Sequence, residues 1–158
     1  MPLGAHARRL LCTGIWMMAA WALAAGAEEE LPSADKPFAE AHIILQLSDR
    51  DPAKQSMVLD VANNLIKHYG DPELVDIELI AFGPGVDLYR RDNDPELLAR
   101  IESLRVSGVR FVVCKNTLDT LERATGKAPE VIDGLVYVQT GVAHIVERAR
   151  AGYTLVRP

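Results

Sequence analysis

Five short apolar runs, separated by segments with helical spacing, restrict this chain more than any other feature. The runs are 42–47, 75–82, 109–114, 135–138 and 153–156. Their length and their content of Val, Ile and Leu predict strands. Pro52 suits the first position of a helix, and Val58, Val61, Ala62, Leu65, Ile66 and Tyr69 follow on one face of it. Gly70 and Pro72 end that helix. Asp94-Pro95-Glu96 opens a second, with Leu97, Leu98, Ile101 and Leu104 inward and Gly108 at its close. A third is expected from about Thr117 to Ala124. A fourth starts at Gly141, with Val142, Ile145, Val146 and Ala149 inward, and stops at Gly152. Strand–helix alternation with short connections gives a parallel sheet with helices on both faces. Asp76 and Glu78 alternate with apolar residues in the second run, which predicts a partly exposed strand near an edge.

The first 27 residues stand apart. Arg8 and Arg9 precede a mostly apolar stretch from Leu10 to Ala25, and Ala25-Gly26-Ala27 fits a cleavage site before Glu28. This is the pattern of a secretory signal peptide, too short and wrongly flanked for a stable membrane span. The expected location is therefore periplasmic or extracellular, with no membrane attachment once the signal is removed. Cys12 opens the apolar run instead of closing it, which argues against lipidation. Residues 28–40 contain Pro32 and Pro37 and read as a poorly ordered lead, and 41–158 as one domain. About 130 residues would remain, enough to bury a core without disulfides. The whole chain has 17 Lys and Arg against 22 Asp and Glu. It becomes more acidic without the leader, because two arginines leave and no carboxylate does. That balance argues against nucleic acid as a partner.

One cysteine then remains, Cys114, in a compartment that tends to oxidise thiols. It ends the apolar run Val109-Arg110-Phe111-Val112-Val113 and precedes Lys115-Asn116-Thr117-Leu118. Asn116 or Thr117 is expected to cap the helix that follows. A thiol between the end of a parallel strand and the start of a helix lies where open α/β sheets keep their ligands. The helix terminus and Lys115 both favour thiolate. The alternative is an inert core cysteine. The chemistries open to a single thiol are persulfide carriage, thiol exchange and acyl transfer, the last of which needs a base. Three histidines lie beyond the leader. His42 begins a strand at the far end from the thiol, and His68 lies near the end of the first helix. His144, about one turn into the fourth helix, is either the candidate base or a surface residue. No Cys-x-x-Cys and no zinc-ligand spacing occurs, and no cofactor fingerprint is present.

The expected rim of strand ends gathers Ser48-Asp49, Gly83-Pro84-Gly85, Cys114 to Thr117 and Gln139-Thr140-Gly141. The glycine loop could bind an anion through its N–H groups, or be a plain turn; it lacks a dinucleotide or P-loop pattern. Arg90 and Arg91 are either a solvated face or, if they reach the rim, support for an anionic sulfur.

Phe-Val-Val-Cys-x-Asn-Thr-Leu at 111–118, Gly-Pro-Gly-Val at 83–86 and Gly-Val…Gly-Tyr…Val-Arg-Pro over 141–158 together resemble the DsrE/DsrF-like family of sulfur-relay proteins. The resemblance covers roughly 41–158. It implies a three-layer α/β/α sandwich around a five-stranded parallel sheet, flavodoxin-like in appearance and often assembled as a homotrimer or hexamer. It implies that Cys114 carries sulfane sulfur as a persulfide, with Lys115, Asn116 and Thr117 beside it and Gly83 and Gly85 as the facing loop. Sulfur donor and acceptor are not implied. The chain departs from the family pattern at Phe82, where many relatives have histidine, and in carrying an export signal. Two other functions stay open at this point: a non-catalytic homo-oligomer that binds a small ligand or partner at the rim, and a thiol redox sensor.

Overall fold

In the computed structural model, residues 36–158 are described; the proposed signal peptide and Cys12 lie outside them. The elements are β1 (Ala41–Leu47), α1 (Pro52–Tyr69), β2 (Val75–Ala81), α2 (Pro95–Val106), β3 (Arg110–Cys114), α3 (Lys115–Thr125), β4 (Val136–Val138), α4 (Gly141–Arg150) and β5 (Thr154–Val156). Short 3-10 helices span Pro72–Leu74 and Gly83–Tyr89. All five strands are parallel, in the order β4-β3-β2-β1-β5. Of the lead expected to be loose, residues 36–40 are tied down: Lys36 Nζ donates to the Pro72 and Val75 carbonyls, and the Glu40 amide to the Leu74 carbonyl. Among the described residues no helix is long and apolar enough to cross a membrane.

The strand order explains the layers. The chain steps outward from β1 to β2, β3 and β4, so right-handed crossovers put α1, α2 and α3 on one face. Val58 and Leu59 of α1, Leu97 and Ile101 of α2, and Leu118 and Leu121 of α3 pack there with Leu45, Leu79, Phe111 and Val113. The chain then returns past the whole sheet to place β5 beside β1. That return carries α4 over the opposite face, where Ile145 packs on Ile44, Ile80, Val112 and Val138. The helix ends obey local chemistry. The Asp51 and Asp94 carboxylates accept from the Ala53 and Glu96 amides at the starts of α1 and α2.

Two expectations fail on the α4 face. β2 is the central strand, not a near-edge one, and Asp76 and Glu78 are buried at 0% and 1% exposure. Alternation did report a polar row, but the row faces other charges instead of water. α4 is also turned relative to its apolar stripe. Gly141, His144, Ile145 and Arg148 are buried, while Val142 and Val146 are 54% and 44% exposed and Ala149 is exposed too. Glu78 is the cause. It accepts from His144 Nε2 at 2.6 Å, from Arg148 Nη2 at 2.6 Å and from Arg110 Nη2 at 2.9 Å. Asp76 faces Arg110 Nη1 at 2.7 Å and takes the Tyr153 hydroxyl and His42 Nδ1.

A carboxylate buried without partners would be neutral, because desolvation disfavours the charge. Burial does push Glu78 upward, but the His144 hydrogen bond and the Arg110 and Arg148 charges outweigh it and hold the carboxyl below its ordinary range. Asp76 is likewise depressed, with burial opposed by Arg110 and Tyr153. Burial and the Asp76 contact push the Tyr153 phenol up to about 12.

A depressed carboxyl contributes stability above its unfolded pKa of about 4 and loses it as pH falls through the folded value. Urea unfolding followed from pH 7 down to pH 3 should therefore show stability falling in the acid range. Glu78→Gln should start about 3–5 kcal/mol lower at pH 7, since it leaves buried cations unmatched, and fall less steeply on acidification. Equal slopes for the two proteins would contradict the assignment.

Candidate functional site

β3 passes into α3 without a connecting loop. Cys114 is both the last strand residue and the cap position of the helix, and no side chain caps it. Asn116 and Thr117 are therefore not caps, as the sequence suggested, but members of the first turn. Asn116 Nδ2 donates to Thr140 Oγ1 at 3.0 Å, and Gln139 Nε2 donates to Asn116 Oδ1 at 2.6 Å. The Asn116 amide donates to the Gln139 carbonyl. Asn116 thus clamps the turn between β4 and α4. Thr117 Oγ1 accepts from the Gly83 amide at 3.0 Å. Lys115 is half-buried and makes no hydrogen bond or ion pair among the described residues.

The sulfur lies on the α4 side of the sheet. Val113 points into the larger core, so Cys114 points the other way. The Gly141 amide donates to Cys114 Sγ at 3.3 Å, and Sγ lies 3.8 Å from the Gln139 carbonyl oxygen, to which the thiol donates. Gly141 is the first residue of α4. The positive end of the α4 dipole is thus directed at the sulfur through its first amide, while α3 begins at the same cysteine without an amide bonded to the sulfur. The residue is 5% exposed, covered by the Gln139–Gly141 segment.

Gly141 sits in close approach to its neighbours. A Cβ there would lie 3.2 Å from both the Cys114 and the Phe82 Cβ atoms. Phe82, where many of the resembling proteins have histidine, is thus a neighbour of the thiol that supplies no proton. The glycine loop forms a turn at the end of β2. Gly83, at φ +53°, starts the 3-10 helix and donates to Thr117, and Gly85 rests against the Leu47 backbone. Gly83, but not Gly85, borders an open cavity of about 420 Å³ with Arg50, Pro84, Asn116 and Thr117, and Cys114 does not line it.

His144, the candidate base, does not approach the sulfur; it is 2% exposed and bound to Glu78. His42 pairs with Asp76, and His68 stacks edge-on against Tyr69. Arg90 and Arg91 do not act on the sulfur either: they pair with Asp92 and Asp133 at 2.7 and 2.6 Å. Sequence reasoning had Gly141 among the rim segments but missed its amide as the sulfur's donor. It also missed Arg148. The available signal was the pair His144 and Arg148, four residues apart and hence on one face of a helix whose valines lie elsewhere.

Two glycine replacements separate packing from helix propensity. A Cβ at Gly85 would stand 2.3 Å from the Leu47 carbonyl oxygen, backbone that cannot step aside. Gly85→Ala should cost ~3 kcal/mol in urea unfolding. Gly141→Ala should cost ~1 kcal/mol, because helix propensity returns part of the overpacking. A Gly85→Ala protein as stable as wild type would refute the contact.

No protein-family model and no curated protein matches the chain. Solved structures do. A protein of unknown function from Methanobacterium thermoautotrophicum, MTH1491, superposes with a TM-score of 0.65 at 30% identity, over 75% of this chain and 100% of that one. The YchN protein of E. coli superposes with a TM-score of 0.54 at 19% identity, over 75% of this chain and 98% of its own, which shows likeness of fold alone. The five-stranded parallel sheet is common ground with these DsrE-like neighbours. The chain has a DsrE-like α/β fold and belongs to the same family as MTH1491.

Proposed function

We propose that this protein is an exported single-cysteine sulfur carrier, or sulfurtransferase component, that holds sulfane sulfur on Cys114. The observation that carries the proposal is the Gly141 amide, at the N-terminus of α4, 3.3 Å from Sγ of the one thiol among the described residues. The DsrE-like fold is compatible with sulfur relay. In the reaction, the Cys114 thiolate attacks the outer sulfur of a donor persulfide. A new S–S bond forms as the donor's S–S bond breaks, and the donor leaves as a thiolate. The step is a transfer without net oxidation, so no redox cofactor takes part. The persulfide carries negative charge on its outer sulfur, and the amide dipoles of α4 favour that charge. No base is required, in keeping with Phe82 beside the thiol and His144 turned to Glu78. Cys114 is 5% exposed, so reaction with a donor requires local opening around it.

Incubation of the protein with sulfane donors should add the mass of one sulfur atom per chain, removable by a thiol reductant. Cys114→Ser should add none. An unchanged mass with every donor tried would leave Cys114 as a core residue, which its burial also suits.

The second part of the proposal is homo-oligomeric assembly as a trimer or hexamer. Val142 and Val146 of α4 face outward, and Leu155 is 45% exposed next to Val156, which packs into the larger core. Alternation along β5 turns Leu155 toward the α4 side. Exposed aliphatic residues gathered on one side mark an interaction surface, and a second copy of this chain is the proposed occupant. Light scattering should give a multiple of the chain mass for wild type and the monomer mass for Val146→Asp. A wild-type protein that remains monomeric at high concentration removes this part.

A further inference from the structure

Two polar side chains of α4, His144 and Arg148, face the sheet on the helix that carries the Gly141 amide. α4 buries one aliphatic side chain, Ile145, on the sheet. A hydrophobic contact is not directional, so Ile145 alone sets neither the rotation of the helix nor its height along the strands. Directional contacts come from His144 and Arg148, four residues apart and therefore on one face. Both meet Glu78, at 2.6 Å each, and the Arg148 guanidinium also lies 5.1 Å from the centre of the Tyr153 ring. Glu78 is itself fixed. It is in the central strand, 1% exposed, with Arg110 of β3 opposite it in register. The other charged and titratable groups around this centre are Asp76 of β2, His42 of β1 and Tyr153 before β5. Three residues before His144, the same helix places the Gly141 amide on Cys114 Sγ.

We propose that Glu78 is a positioning residue for the Cys114 thiol: by gripping His144 and Arg148 it fixes the Gly141 amide on the sulfur. Glu78 does not touch the sulfur and acts through α4. The inference rests on Cys114 being the working thiol, but its test does not require sulfur transfer. Loosening the grip withdraws the Gly141 amide, a donor that stabilises a thiolate more than a thiol, so the variant proteins are expected to ionise Cys114 at higher pH.

The test is the pH profile of Cys114 alkylation by iodoacetamide. The midpoint reports ionisation, and the high-pH plateau reports access. His144→Leu and Arg148→Met should raise the midpoint by about half a unit, slowing alkylation roughly threefold at neutral pH. His144→Gln, which keeps a nitrogen donor near the Nε2 position, should restore the wild-type midpoint. Val106→Ser, on the exposed surface of α2, should leave it unchanged. Glu78→Gln should give the largest shift. If that protein does not fold, the two α4 variants decide. Cooperatively folded His144→Leu and Arg148→Met proteins with the wild-type midpoint would overturn the proposal. A protein that takes up no sulfur yet shows the shifted midpoints would overturn the carrier function and leave this inference standing.

Discussion

Much of this fold hangs on one carboxylate that should not be where it is. Glu78 lies in the middle strand of the sheet, out of reach of water, and is bound by two arginines and a histidine. Removing a carboxylate from water costs several kcal/mol, and only well-placed partners return it. Those partners come from the next strand, Arg110, and from the distant α4, His144 and Arg148. A local row of charges on β2 therefore determines which face a helix more than sixty residues later turns toward the sheet.

The two faces of the sheet are held in different ways. On the α1–α3 face, a large cluster of aliphatic and aromatic side chains packs between sheet and helices, and the apolar stripes of the helices point inward. On the α4 face a small apolar cluster is joined to an ionic one. The thiol lies on this second face. Burial beneath a helix held by directional bonds gives the sulfur a defined set of neighbours, as a reactive group needs. Apolar packing alone would tolerate small slips of the helix.

The parallel sheet with helices on both faces is legible because five apolar runs alternate with helix-patterned segments, and handedness leaves few ways to connect them; the strand order is not, since β2 reads as near an edge and is central. The boundary at Cys114 was legible as a strand end. The directness of the handover was not, because Asn116 and Thr117 are good capping residues and look like a cap from sequence alone. Their side chains are engaged elsewhere, by Thr140, Gln139 and Gly83, partners that only the fold brings near. The alternation of Asp76 and Glu78 was read as exposure because polar residues on a strand usually face water. Nothing local reveals that Arg110, Arg148 and Tyr153 converge on them. The inward set of α4 departs from its hydrophobic spacing for the same reason: the His144 and Arg148 contacts to Glu78 override it.

The linked set of Asp76, Glu78, Arg110, His144 and Arg148 also bears on how such a sequence can drift. Loss of Glu78 or of Arg110 alone leaves buried charge unmatched, whereas exchange of the whole group for apolar residues would leave none stranded. Descendants should accordingly keep the set or discard it together, with few surviving intermediates. A lineage that discards it would be free to rotate α4, bury its valines and carry the amide of residue 141 away from the sulfur.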